Sequence, residues 1–168
     1  MDRARGGRRS GLRQCVLTRG YGRRTSSPKR VVVSDGHRLM ADAQRGGDEP
    51  RLLAENLLGI AAVIADADRI RAARWAMENL GSGAFLLDDG YQHRRLARTL
   101  DIAVIDATNP WSNYWTLPRG RLRESLSALK RADCVVITRS EQAEDFREDA
   151  QSCRATIAKR RPCDRFEQ

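Results

Sequence analysis

The sequence predicts an α/β fold: a largely parallel sheet flanked by helices. Three observations carry this. Short apolar runs recur along the chain with helix-patterned segments between them, which implies crossover connections. Several runs are continuous rather than alternating, the pattern of strands buried on both faces. Some end in carboxylates, as in "AFLLDD" and "DIAVID", at the strand ends where open α/β sheets bind ligands.

"CVLT" (15–18) and the β-branched "RVVVSD" (30–35) read as strands. "EPRLLAENL" (49–57) reads as a short helix with Pro50 in its first turn, a favoured position. "AAVIA" (61–65) is a strand. "DADRIRAARWAMENLG" (66–81) is the clearest helix: Ile70, Ala73, Met77 and Leu80 recur at spacings of three and four, acids open it and Gly81 closes it. Strands follow at 84–89, 100–107 and 133–139. Leu122, Leu126 and Leu129 mark a helix around 122–132, and 141–160 reads as a polar helix.

The 168 residues carry a net charge of +9 and only nine aromatics, so the core is built mainly from Leu, Ile, Val and Ala. Ten Arg/Lys face the single acid Asp2 within residues 1–30, and the remaining 138 residues are balanced, 21 basic against 21 acidic. The head of the chain therefore favours anionic partners: phosphates, an anionic membrane surface or nucleic acid. Cys15, Cys134, Cys153 and Cys163 form no CxxC pair, which argues against zinc; Cys15 and Cys134 sit in apolar runs and read as buried thiols. No stretch approaches the roughly 18 apolar residues of a membrane span, and the first 13 residues lack the apolar segment of a secretory signal.

"LLDDGYQHRR" (86–95) raises the chemical question. Two adjacent carboxylates at the end of a buried strand repel each other unless a cation sits there. The bland reading is a strand ending in a polar turn. The alternative is a magnesium–phosphate site of the Walker B kind. Asp106 after "IAVI" and Arg139 after "VVIT" occupy equivalent strand ends. The loop "TNPWSNYWTLPRG" (108–120) holds three of the nine aromatics and is either a packed cover or a binding lip.

"LLDDGYQHRRLARTLDIAVIDA" (86–107) resembles the signature of the tetraacyldisaccharide 4'-kinases of lipid A assembly. So do "LTRGYGRR" (17–24), "GDEPRLLA" (47–54) and "LPRGRLRESLSALKRADCVVITR" (117–139), in the same order. The resemblance implies a P-loop-kinase-like fold. It also implies ATP and Mg²⁺ as cofactors and transfer of the γ-phosphate to the 4'-hydroxyl of tetraacyldisaccharide 1-phosphate, at the cytoplasmic face of the inner membrane. Carried over by motif, Asp88 and Asp89 are metal ligands. Asp48 is the catalytic base, with Glu49 beside it, and Arg123 and Glu124 of "LRE" lie near the phosphates. Arg19, Gly20, Tyr21 and Gly22 form the sugar-side loop, and His93 belongs to the "DGYQHRR" signature. Plainer readings stand beside these: His93 as a turn cap, Arg94 and Arg95 as a solvated face, His37 as a loop residue, and Arg123–Glu124 as a helix-start pair.

The chain departs from the pattern in two ways. Arg119, Arg121 and Ser125 stand where the family more often has Ala, Pro and Pro. No G-x-x-x-x-G-K-[ST] loop occurs anywhere, so a Walker A cradle is missing. The resulting expectation has three parts. Residues 1–14 form a basic, unstructured arm, 15–139 a partial kinase-like core, and 140–168 a polar helix and tail leading toward an absent C-terminal domain. Such a chain, incomplete at both ends, is expected to be inactive alone. The rival reading is a small basic protein that binds nucleic acid or anionic lipid through its arm.

Overall fold

A computed structural model describes residues 13–20, 30–111 and 114–142. Tyr21, Gly22, nearly all of the basic arm and most of the 141–160 helix lie outside the described residues. The chain divides into two compact units, Met1–Leu96 and Ala97–Gln168.

The first unit holds β1 (Arg13–Thr18), β2 (Arg30–Ser34), α1 (Ala43–Gly46), α2 (Asp48–Asn56), β3 (Ala61–Asp66), α3 (Arg69–Leu80) and β4 (Ser82–Leu87). Its sheet order is β2-β3-β1-β4. β1 pairs in parallel with β3 and with β4, and β2 runs antiparallel to β3. Arg13 and Gln14, assigned by sequence to the arm, instead open β1.

The continuous apolar runs are explained by two cores, one on each face. Side chains alternate across a strand. Thus Val16, Ala61, Val63 and Ala65 face one core with Val31, Val33 and Ala54 of β2 and α2. Cys15, Leu17, Ala62 and Ile64 face the other with Ala72, Ala73 and Ala76 of α3. Burial pushes the Cys15 thiol up to about 12, with the Ser82 side chain opposing weakly, as the buried-thiol reading expects.

α3 begins and ends as its sequence directs. The Asp68 side chain caps it by accepting from the Arg71 N–H at 3.1 Å, and Gly81 closes it in the left-handed region at φ 64°. Its inward face differs from the expected one. Ala72, Ala73 and Ala76 are buried while Met77 is exposed, because small side chains let the helix lie close to the sheet. Trp75 and Leu80 fill the margins.

The second unit holds β5 (Ile102–Asp106) and β6 (Cys134–Thr138), paired in parallel. Trp111, Ile105 and Ala107 pack with Leu126, Leu129, Val135 and Ile137 on one face. The helix expected at 122–132 is only a 3-10 segment, Leu126–Arg131, whose Ser125 makes no side-chain cap. Leu122 is taken up elsewhere, its carbonyl accepting from the Leu117 N–H at 2.9 Å.

Candidate functional site

β1, β3 and β4 are mutually parallel through β1, so their carboxyl ends lie along one edge of the sheet. The Asp88 N–H donates to the Leu17 carbonyl at 3.0 Å, which seats the paired aspartates against the end of β1. Asp88 is half-buried and Asp89 exposed. Asp89 takes a left-handed backbone, φ 49°, a conformation that aspartate tolerates better than most residues. A Cβ on Gly90 would overlap the Leu87 side chain, so the "DDG" turn needs glycine for space. Arg19 and Gly20 follow β1, Gly20 at φ 72°.

At the end of β3 stands a residue that the sequence reading passed over. Arg69 is 4% exposed. Its Nη1 donates to the Asp66 carbonyl at 3.0 Å, and its buried Nε has no hydrogen-bond partner among the described residues. Burial, then the like charge of Arg19, lowers its pKa, while Asp88, Asp89 and Asp66 raise it. Two guanidiniums and two carboxylates therefore share this sheet edge, close enough to feel one another. A signal was available in sequence. A cation at the first position of a helix opposes the macrodipole, and a residue in such a place needs another reason to be there.

Asp66 itself is fully buried but already neutralised. Arg71 donates to its Oδ1 at 2.7 Å and its Oδ2 at 3.1 Å, and the Asp68 N–H donates at 2.9 Å. It reads as a structural ion pair.

Asp48 and Glu49 are exposed in the first turn of α2, where acids complement the helix dipole. His93 is half-buried in the turn after the aspartates, its N–H donating to the Gly90 carbonyl at 2.9 Å. Arg94 and Arg95 are exposed, and His37 sits exposed in a turn organised by the Asp35 carboxylate, as their plainer readings expect. In the second unit, Arg123 is exposed and Glu124 accepts from Arg131 at 2.9 Å. Asp106 and Arg139, at the ends of β5 and β6, form a 2.9 Å ion pair. Asp106 also accepts from the Thr108 hydroxyl and N–H, and these bonds, with Arg139 adding a smaller effect, lower its pKa.

The donor set suits Mg²⁺, which is commonly held by one or two carboxylates with waters and phosphate oxygens completing the shell. Among the described residues no group of three or more His, Cys, Asp or Glu is placed to hold a metal. Asp48 therefore does not complete a three-carboxylate metal cage with Asp88 and Asp89 among the described residues.

The profile of the family described as LpxK, tetraacyldisaccharide-1-P 4'-kinase, matches residues 4–166. A tetraacyldisaccharide 4'-kinase of Pelobacter propionicus is 49% identical over 129 residues, covering 77% of this chain and 35% of the relative. One from Anaeromyxobacter dehalogenans is 46% identical over 140 residues, covering 83% and 36%. The crystal structure of LpxK from Aquifex aeolicus in complex with ATP superposes with a TM-score of 0.68 at 39% identity, over 77% of this chain and 39% of that one. The chain thus spans little more than a third of the length of the proteins it matches, and it belongs to the tetraacyldisaccharide-1-P 4'-kinase family.

Proposed function

We propose that these residues form the metal-side and acceptor-side portion of a lipid kinase. Its reaction is the transfer of the γ-phosphate of ATP to the 4'-hydroxyl of tetraacyldisaccharide 1-phosphate in lipid A assembly. The observation that carries the reading is the shared sheet edge of Asp88, Asp89, Arg19 and Arg69, in a chain that belongs to this family.

Asp88 and Asp89 hold Mg²⁺, which when bound neutralises phosphate charge and orients the transferring group. Asp48 accepts the proton of the 4'-hydroxyl as that oxygen bonds to the γ-phosphorus and the bond to the ADP oxygen breaks. Glu49 supports Asp48 from the same turn. Arg123 contacts phosphate oxygens. Arg19, Gly20, Tyr21, Gly22, His93 and Glu124 orient the sugar side. The basic head of the chain faces an anionic membrane surface in preference to nucleic acid. No helix among the described residues is long and apolar enough to cross a membrane, and the reading places the protein peripherally at the cytoplasmic face of the inner membrane.

The phosphate-cradling Walker A loop is not among these 168 residues. Phosphoryl transfer is catalysed by positioning and charge neutralisation, so its loss costs on the order of a thousandfold or more in rate. These residues alone are therefore inactive in this proposal. The test is transfer of labelled γ-phosphate to the disaccharide 1-phosphate in detergent micelles. It compares the 168-residue chain with a chimera that takes the Walker A segment and C-terminal portion from a full-length relative. Turnover by the chimera alone is expected. Turnover by the short chain overturns the inactivity, and a folded, ATP-binding but inert chimera overturns the residue assignments.

A further inference from the structure

The aromatic loop of the second unit divides its residues in two. Trp111 is 8% exposed and packs into the core. Tyr114, Trp115 and Leu117 are 63%, 56% and 62% exposed. The packed cover envisaged from sequence is realised at Trp111, while Tyr114, Trp115 and Leu117 stand out in solvent.

Backbone hydrogen bonds tie down the exposed set. The Tyr114 N–H donates to the Trp111 carbonyl at 2.9 Å, and the Leu122 N–H donates to the Trp115 carbonyl at 3.3 Å. The Arg119 and Gly120 N–H groups both donate to the Thr116 carbonyl, at 3.0 and 3.1 Å. Tyr114 has φ 62°, a conformation that is an outlier for a bulky residue and persists only where the surroundings enforce it. This segment therefore presents large apolar side chains to solvent on a hydrogen-bonded backbone.

The surrounding charge has one sign. Arg119, Arg121 and Arg123 are exposed, the Arg119 guanidinium lies 5.8 Å from the Trp115 ring centroid, and residues 109–123 contain no acid. Tyr and Trp with their polar tips, a leucine, and arginines with long apolar stems are the side chains that settle at a bilayer boundary, and the guanidiniums favour anionic headgroups.

We propose that Tyr114, Trp115 and Leu117, flanked by Arg119 and Arg121, form a lip that inserts into the headgroup–acyl boundary of an anionic phospholipid bilayer. The proposal deepens the anionic-membrane reading above, and its assay needs no turnover, so its failure is separable from failure of the kinase reading. Each arginine near an anionic surface strengthens partitioning by about fivefold, and the three apolar side chains hold the protein once it arrives.

The test binds the 168-residue chain to phosphatidylcholine–phosphatidylglycerol vesicles, with brominated acyl chains as quencher. Tyr114→Ser/Trp115→Ser/Leu117→Ser changes no charge; it removes exposed apolar area together with the Trp115–Arg119 ring contact. With an unchanged unfolding midpoint it should bind about tenfold more weakly or worse. Trp115→Phe should bind like wild type yet lose most of the bromine quenching, since Trp75 and Trp111 lie outside the lip. Sedimentation without lipid tests the competing occupant, a second copy of the chain. Equal binding by the triple variant, equal quenching in Trp115→Phe, or a dimer that the triple variant dissociates would each overturn the lip.

Discussion

The bond from the Asp88 N–H to the Leu17 carbonyl, 3.0 Å long, fixes where the paired carboxylates stand relative to β1, and Gly90 lets the chain turn away directly afterwards. Gly90→Ala would drive a methyl group into Leu87. It is expected to destabilise the first unit by about 1–3 kcal/mol, the usual cost of overpacking. Denaturant midpoints against wild type measure it, and an unchanged midpoint would mean the turn relaxes freely.

Arg69 yields a two-sided prediction. Its charge opposes a cation at Asp88 and Asp89 but favours a phosphate there. Arg69→Met should therefore strengthen Mg²⁺ binding to the 168-residue chain. In the chimera it should weaken nucleotide binding by about tenfold or more, the scale of a lost charge-assisted hydrogen bond. Arg69→Lys should restore much of the nucleotide affinity. Calorimetric titrations read both ligands, and a purely structural Arg69 would not move them in opposite directions.

Much of this arrangement was legible beforehand, because burial on both faces writes itself as unbroken apolar runs. β1, β3 and α2 lie within a residue or two of their expected bounds, and Asp68 and Gly81 mark the ends of α3 by chemistry that is local. The failures are tertiary or very short. α1 spans four residues, too few to show a period. The antiparallel direction of β2 depends on a chain path that its residues do not encode. The buried face of α3 is set by how closely alanines approach the sheet, which apolar spacing ranks below Ile and Met. Arg69 was hidden because an arginine in a helix ordinarily means solvent, and only the fold brings it within electrostatic reach of Arg19 and the aspartates.

The Asp106 carboxylate gives a pH signature. Its pKa is lowered, first by the Thr108 hydroxyl and N–H and then by Arg139. A depressed folded value stabilises the second unit above the ordinary carboxylate range near about 3.9. That contribution is lost as pH falls through the folded value. Thr108→Val should move the Asp106 midpoint back up toward the ordinary range, read by carboxyl ¹³C titration. An unmoved midpoint would assign the effect to Arg139 instead.

On the proposed roles, Asp48→Ala and Asp89→Ala separate base from metal in the chimera. A general base acts only as the acceptor hydroxyl loses its proton, so Asp48→Ala in the chimera should lower kcat by about a hundredfold or more while nucleotide binding stays near wild type. Glu49→Ala should have a smaller effect, since Glu49 only supports its neighbour. On the proposal that Asp89 holds Mg²⁺, the loss of rate in Asp89→Ala should be accompanied by a higher Mg²⁺ requirement. Saturating the assay with Mg²⁺ should then recover part of the Asp89→Ala rate and none of the Asp48→Ala rate. Equal Mg²⁺ rescue of both variants would show that Asp48 acts through the metal and not on the sugar hydroxyl.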